Sequence, residues 1–452
     1  MSQPFRDRLR ALGPGLVLAA AGIGAGDVVV ASVTGIRFGL TLLWAVAFTA
    51  ALKFVLTEAL ARWQLATGET IVRAWITRLP RWVAGLFAVY LLFWTFMVGA
   101  SLSSACGLAG ASLFPGWSVA AWGAVHAGVA ALLVAANRYA RFQKLMKGLI
   151  AVMAGCVLGC AALTQPEPGA LLRGLVVPAV PAEGGAAQVL ALLGGIGGSV
   201  TVICYGYWIR AAAWHGAGRL ATVRSDLRLA YVFTGLFGMA LVTIAAGVHL
   251  EAAGGSRIAL ELASRLETFA GPLARWIFLV GFWCTVFTAM LGVWQGVPQI
   301  YADLAAAWRE REAADSGRTA FPSAPSDPGR GRGEPADRPA APGTAGVTTA
   351  EAGGAESAAS IRGRRVYLAA VAYLAGPPLV LLWHREPVGV VVTFSIAGAF
   401  FMPFLAATLL YLNNRRDWVG PLANRWFGNV ALVVCLVVFG AVCVRELMRA
   451  LA

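Results

Sequence analysis

Charge is scarce in this chain: only 13% of its 452 residues are Asp, Glu, Lys or Arg, about half the share found in soluble domains. Histidine is scarcer still, with four residues in all. The seven cysteines (Cys106, Cys156, Cys160, Cys204, Cys284, Cys435 and Cys443) all fall in apolar stretches. None forms a CxxC pair, so neither a disulfide framework nor a zinc site is supported, and core packing is their expected role. No P-loop, dinucleotide glycine fingerprint, HExxH or hydrolase triad motif occurs. The sequence therefore points away from an enzyme, and no cofactor is expected. Without a nucleotide motif, any uphill process must draw on an ion gradient.

What is present is apolar mass. Hydrophobic residues make up 59% of the chain, with a mean hydropathy of +0.71. Runs of bilayer-spanning length recur, which makes this an all-α polytopic membrane protein. Eleven spans are expected near 13–35, 40–60, 83–107, 117–136, 144–163, 188–212, 229–250, 271–296, 366–383, 388–412 and 426–447. Lys and Arg concentrate at the N-terminus and in the connections at 61–82, 138–147, 210–228 and 413–416. The alternate connections are poorer in them. By the positive-inside rule the N-terminus is cytoplasmic and the C-terminus outside, in the cell membrane. The same rule accounts for the net charge of +14 without a nucleic-acid partner. The bilayer is the expected environment, and a monomer the expected unit. Residues 305–363 stand apart, being rich in Pro, Gly, Ser and Ala. Such a composition cannot bury enough surface to fold, so a disordered cytoplasmic loop is expected there, dividing spans 1–8 (1–304) from spans 9–11 (364–452).

Two spans carry an unusual pattern. "GIGAGDVVVAS" at 22–32 sets three glycines before Asp27, and "GGIGGSVTVICYGYW" at 194–208 sets five within span 6. Glycine alone is often just close helix packing. A pair of glycine-interrupted spans, five helices apart, is instead the mark of an inverted-repeat transporter with broken helices meeting at mid-membrane. A carboxylate such as Asp27 is costly in lipid and normally faces a cavity with a partner, ion or proton.

With these residues in hand, "GPGLVLAAAGIGAGDVVVASVTGIRFGLTLLW" resembles the first span of the NRAMP (natural resistance-associated macrophage protein) divalent-metal transporters. "ARWQLATGETI" at 61–71 and "FMPFLAATLLYLNNRRDWVGPLANRWFGNV" at 401–430 are similar to further segments of that family. The resemblance implies a LeuT-type fold in which spans 1–5 and 6–10 are inverted repeats and spans 1 and 6 are broken around a site. It also implies a proton-linked symporter. Compared with the family's Asp-Pro-Gly-Asn motif, Gly24 stands at the aspartate, Ala25 at the proline, Gly26 at the glycine and Asp27 at the asparagine. Thr201 stands where the family's Met-Pro-His signature begins, and Ser395 where it has a glutamine in span 10.

The implied cation site is thus Asp27, Thr201, Gly24, Gly26 and Ser395, with Asp27 and Thr201 as the metal ligands. Hydroxyl, carboxylate and carbonyl oxygens favour hard ions such as Mn²⁺ or Mg²⁺ over Fe²⁺. Lys53 and Glu58 in span 2 and His126 in span 4 are candidates for a proton pathway or for pairing. Tyr205, Tyr207 and Trp208 are candidate pocket-lining aromatics. The expected function is secondary transport of a divalent cation. A same-fold carrier of an amino acid or amine, and a relative that no longer transports, are the alternatives.

Overall fold

The computed structural model describes residues 13–136, 139–246, 257–316, 348–384 and 387–451. Among the described residues every regular element is helical. Seven helices are individually long and apolar enough to cross a membrane, and bent pairs raise this to nine. The shorter apolar helices Val119–Ala135 and Gly185–Gly195 fall at the expected spans 4 and 6. Each of the eleven expected spans thus coincides with helix, although not every one is a full crossing by itself.

Span 1 is two helices, Pro14–Gly22 and Ala25–Phe38, bent by 62°. Pro14 opens the first half at the position where its missing N–H costs nothing. Span 6 is likewise two helices, Gly185–Gly195 and Thr201–Ala211. Span 2 (Leu43–Thr67) ends at Gly68, whose left-handed conformation (φ 73°) closes the helix. Span 8 (Pro272–Asp315) runs through the centre and is the most buried of the crossing helices. Span 11 (Trp426–Leu451) and span 4 keep bulky apolar residues such as Leu132, Phe427 and Val437 on the outside, as lipid requires.

The loop expected at 305–363 is shorter than its composition suggested. Span 8 continues as helix to Asp315 and the next helix begins at Thr348. Good helix formers at 305–315 and tertiary pairing account for the first of these extensions. Arg73 pairs with Glu310 and Arg81 with Asp315, and Arg311 donates to the carbonyls of Ile76 and Leu79. The short helix Ile71–Arg78, capped by Thr70, thereby rests on the far end of span 8. Residues 317–347 lie outside the described residues, as does the basic N-terminus at 1–12. Two further helices were not expected: Pro168–Val176 and Arg257–Ala270.

Candidate functional site

Asp27 lies in the first turn of the second half of span 1. Its Oδ2 accepts the Gly24 N–H at 2.8 Å, a local cap that satisfies a donor freed by the break and sets a negative charge at a positive helix end. Its Oδ1 accepts the Gly197 N–H at 2.7 Å. One carboxylate thus holds both breaks together, at 4% exposure.

The span 6 break is made by backbone geometry. Gly197 and Gly198 both adopt positive φ, 79° and 73°, a region that side chains other than glycine's enter at a cost. The approach is also close. A Cβ on Gly198 would lie 2.3 Å from Thr201 Oγ1 and 3.1 Å from Gly22 Cα. Lys53 of span 2, fully buried, donates from Nζ to the Gly198 carbonyl. Its stem passes Gly197, where a Cβ would lie 3.4 Å from Lys53 Cδ.

Between the breaks is a cavity of about 40 Å³, lined in part by Gly22, Gly24, Asp27, Ser199, Thr201 and Gly398. It is large enough for an ion with a water or two and far below the volumes that hold organic ligands. Thr201 Oγ1 is buried there without a hydrogen-bond partner. Ser199 Oγ accepts the Trp94 indole N–H at 3.0 Å and keeps a lone pair. Ala21, Gly22, Gly194 and Gly195 close the first half of each broken span at the cavity; carbonyls at helix C-termini lack intrahelical partners and bind cations in this setting. The polar inventory is therefore one carboxylate, hydroxyls and carbonyls. Among the described residues no group of three or more His, Cys, Asp or Glu is placed to hold a metal.

Of the residues singled out in the sequence, Asp27, Gly24, Gly26 and Thr201 meet at this cavity. Ser395 lies on the span 10 helix Pro387–Asn413, with its side chain outside the described residues. Lys53 reaches the Gly198 carbonyl at the cavity wall, and the others are elsewhere. Glu58 accepts Arg224 Nε at 2.9 Å and pairs with Arg62 at 3.3 Å, tying span 2 to span 7. Both ring nitrogens of His126 are engaged: Nδ1 lies 2.7 Å from the Trp122 carbonyl, and Nε2 accepts the Trp283 indole at 2.9 Å. These bonds tie spans 4 and 8 together, away from the cavity. The Tyr205 hydroxyl donates to Asp226, Tyr207 to Asp303, and the Trp208 indole to Gln295. Those aromatics do not line the cavity, because the helix restarts at Thr201 and carries them onto other faces.

Two polar residues carried no clear signal in the sequence. Ser199 is a small residue inside the break, and nothing in its neighbourhood distinguishes it. Asp226 accepts the Gly15 N–H at 2.7 Å and the Tyr205 hydroxyl at 2.9 Å, so it clamps the start of span 1 to the second half of span 6. Its basic surroundings at 210–228 conceal it as a connection; an acid at the head of an apolar run is the available signal.

Comparison with known proteins bears on the fold and the family. The divalent metal cation transporter MntH of Yersinia pestis is 26% identical over 266 residues, covering 55% of this chain and 62% of that relative. MntH of Yersinia enterocolitica is 25% identical over 315 residues, 66% of this chain and 75% of the relative. The chain thus spans under two thirds of the length of the first of these. Among solved structures, a histidine-to-alanine mutant of the Eremococcus coleocola manganese transporter superposes with a TM-score of 0.70 at 14% identity, covering 98% of this chain and 87% of that one. A nucleobase-cation-symport-1 family transporter, closed around bromovinylhydantoin, superposes with a TM-score of 0.56 at 13% identity, covering 96% and 90%. The fold is that of the LeuT-type transporters. Residues 15–310 match the family model described as natural resistance-associated macrophage protein-like, and the chain belongs to that family.

Proposed function

We propose that this chain is a secondary transporter that moves a divalent metal cation across the membrane by alternating access, with a hard ion such as Mn²⁺ or Mg²⁺ favoured over Fe²⁺. The observation that carries the reading is the meeting of Asp27, the unpartnered Thr201 hydroxyl and the half-helix ends at one small cavity. A buried hydroxyl without a partner is costly, and a cation's coordination shell is what such an oxygen lacks. An all-oxygen inventory suits hard cations. The relatives named as divalent metal cation transporters support the same class. A proton gradient is the proposed driving force, and the cell membrane with the N-terminus inside is the proposed setting. An amino acid or amine fits less well, since the cavity is small and the three aromatics face away from it.

Uptake of Mn²⁺, Mg²⁺ and Fe²⁺ into proteoliposomes, beside amino acids, tests the proposal. Wild-type protein should accumulate a divalent ion, and Asp27→Ala should not. Accumulation of an amino acid with no movement of any divalent ion would replace this reading with the organic-solute one.

A further inference from the structure

The break in span 6 is held by two opposite charges at consecutive residues. Asp27 accepts the N–H of Gly197, and Lys53 donates to the carbonyl of Gly198. The two charges attract one another across this backbone. Lys53 is fully buried, and the other groups around it are uncharged. The Tyr231 hydroxyl of span 7 is bonded to Thr57, one turn along span 2, at 2.5 Å, and Thr234 of span 7 faces Gly197. Glu58, the nearest acid on span 2 itself, is engaged by Arg224 and Arg62. Lys53 therefore has Asp27 as its counter-charge, and Asp27 has Lys53.

That balance bears directly on transport, provided the cargo is a cation as proposed for this site. A divalent ion between Asp27 and Thr201 would sit beside an ammonium bonded to a residue of the cavity wall. Inside a protein, like charges this close repel even at an effective dielectric near 20. A bare carboxylate crossing the membrane interior is expensive as well, so a carrier with Asp27 alone would reorient poorly once its cargo had left. We propose that Lys53 is a tethered counter-charge that loosens the cation's hold and lets the unloaded carrier return. Its role is to set the net charge of the site at zero in the unloaded form.

The test separates net transport from exchange. Mn²⁺ uptake is measured into empty proteoliposomes, which needs the unloaded return, and into vesicles preloaded with Mn²⁺, which does not. Mn²⁺ affinity is measured by titration calorimetry on the same proteins. The variant Lys53→Gln keeps an N–H donor for the Gly198 carbonyl but carries no charge; Lys53→Met removes both, and Lys53→Arg restores the charge. For Lys53→Gln the ratio of net uptake to exchange should fall about tenfold and Mn²⁺ affinity should rise about tenfold, with Lys53→Arg moving both back toward wild type. A purely structural lysine predicts something else: Lys53→Met loses thermal stability, while Lys53→Gln keeps the wild-type ratio and affinity. Either quantity remaining at its wild-type value in a folded Lys53→Gln protein overturns the proposal. Wild-type protein that moves no divalent ion in either arm overturns the cation reading itself, so the two failures are distinct.

Discussion

The breaks in spans 1 and 6 reach the same result by different means. In span 1 the chain leaves the helix through an extended Ile23 and Gly24, with no positive φ, and a side chain, Asp27, satisfies the freed N–H. In span 6 two successive left-handed glycines turn the backbone, and the freed groups are satisfied from outside, by Asp27 of span 1 and Lys53 of span 2. The first break is therefore specified by polar chemistry, the second by steric permission. Substitutions at the two should fail in different ways.

The largest effect is expected at Gly198. An alanine there incurs the cost of left-handed backbone and of a Cβ pressed on Thr201 and Gly22. About 3 kcal/mol of stability should be lost, with transport, as read by thermal unfolding in detergent and by Mn²⁺ uptake. Asp27→Asn should be intermediate in stability. An amide has one acceptor oxygen where the carboxylate has two, so one of the Gly24 and Gly197 N–H groups loses its partner, at about 2 kcal/mol. Mn²⁺ binding should nevertheless disappear, because the charge is gone. Gly24→Ala should be mildest, under about 1 kcal/mol, since its backbone is extended and its Cβ would press closest on Ala289 Cβ, at 3.3 Å. A Gly24→Ala protein as unstable as Gly198→Ala would erase the contrast between the breaks.

Legibility in the sequence divides along the same line. Period, hydropathy and charge locate the spans, because lipid imposes those patterns on each helix separately. The glycine clusters and Asp27 mark both breaks, because poor helix formers and a buried acid are locally anomalous. Partners are not legible. That Lys53 reaches Gly198, and that Trp94 reaches Ser199, depends on how helices far apart in sequence cross. Tyr205, Tyr207 and Trp208 show the reverse error: closeness in sequence to the break does not place a side chain on the cavity face, since a restarted helix turns about 100° per residue. The segment at 305–363 shows a third limit. Its core from Ser316 on has the composition of a loop, but residues 305–315 are mostly Ala, Glu and Arg, good helix formers that extend span 8 and pair with the span 2–3 connection.

The central claim is that the meeting point of the two breaks is where the cation sits. Anomalous scattering from crystals of the protein grown with Mn²⁺ addresses it most directly. The account predicts a manganese peak within coordination distance of Asp27 and Thr201 Oγ1, absent in Asp27→Asn crystals. Manganese bound only at other positions, with the cavity between Asp27 and Thr201 free of anomalous signal, would contradict it.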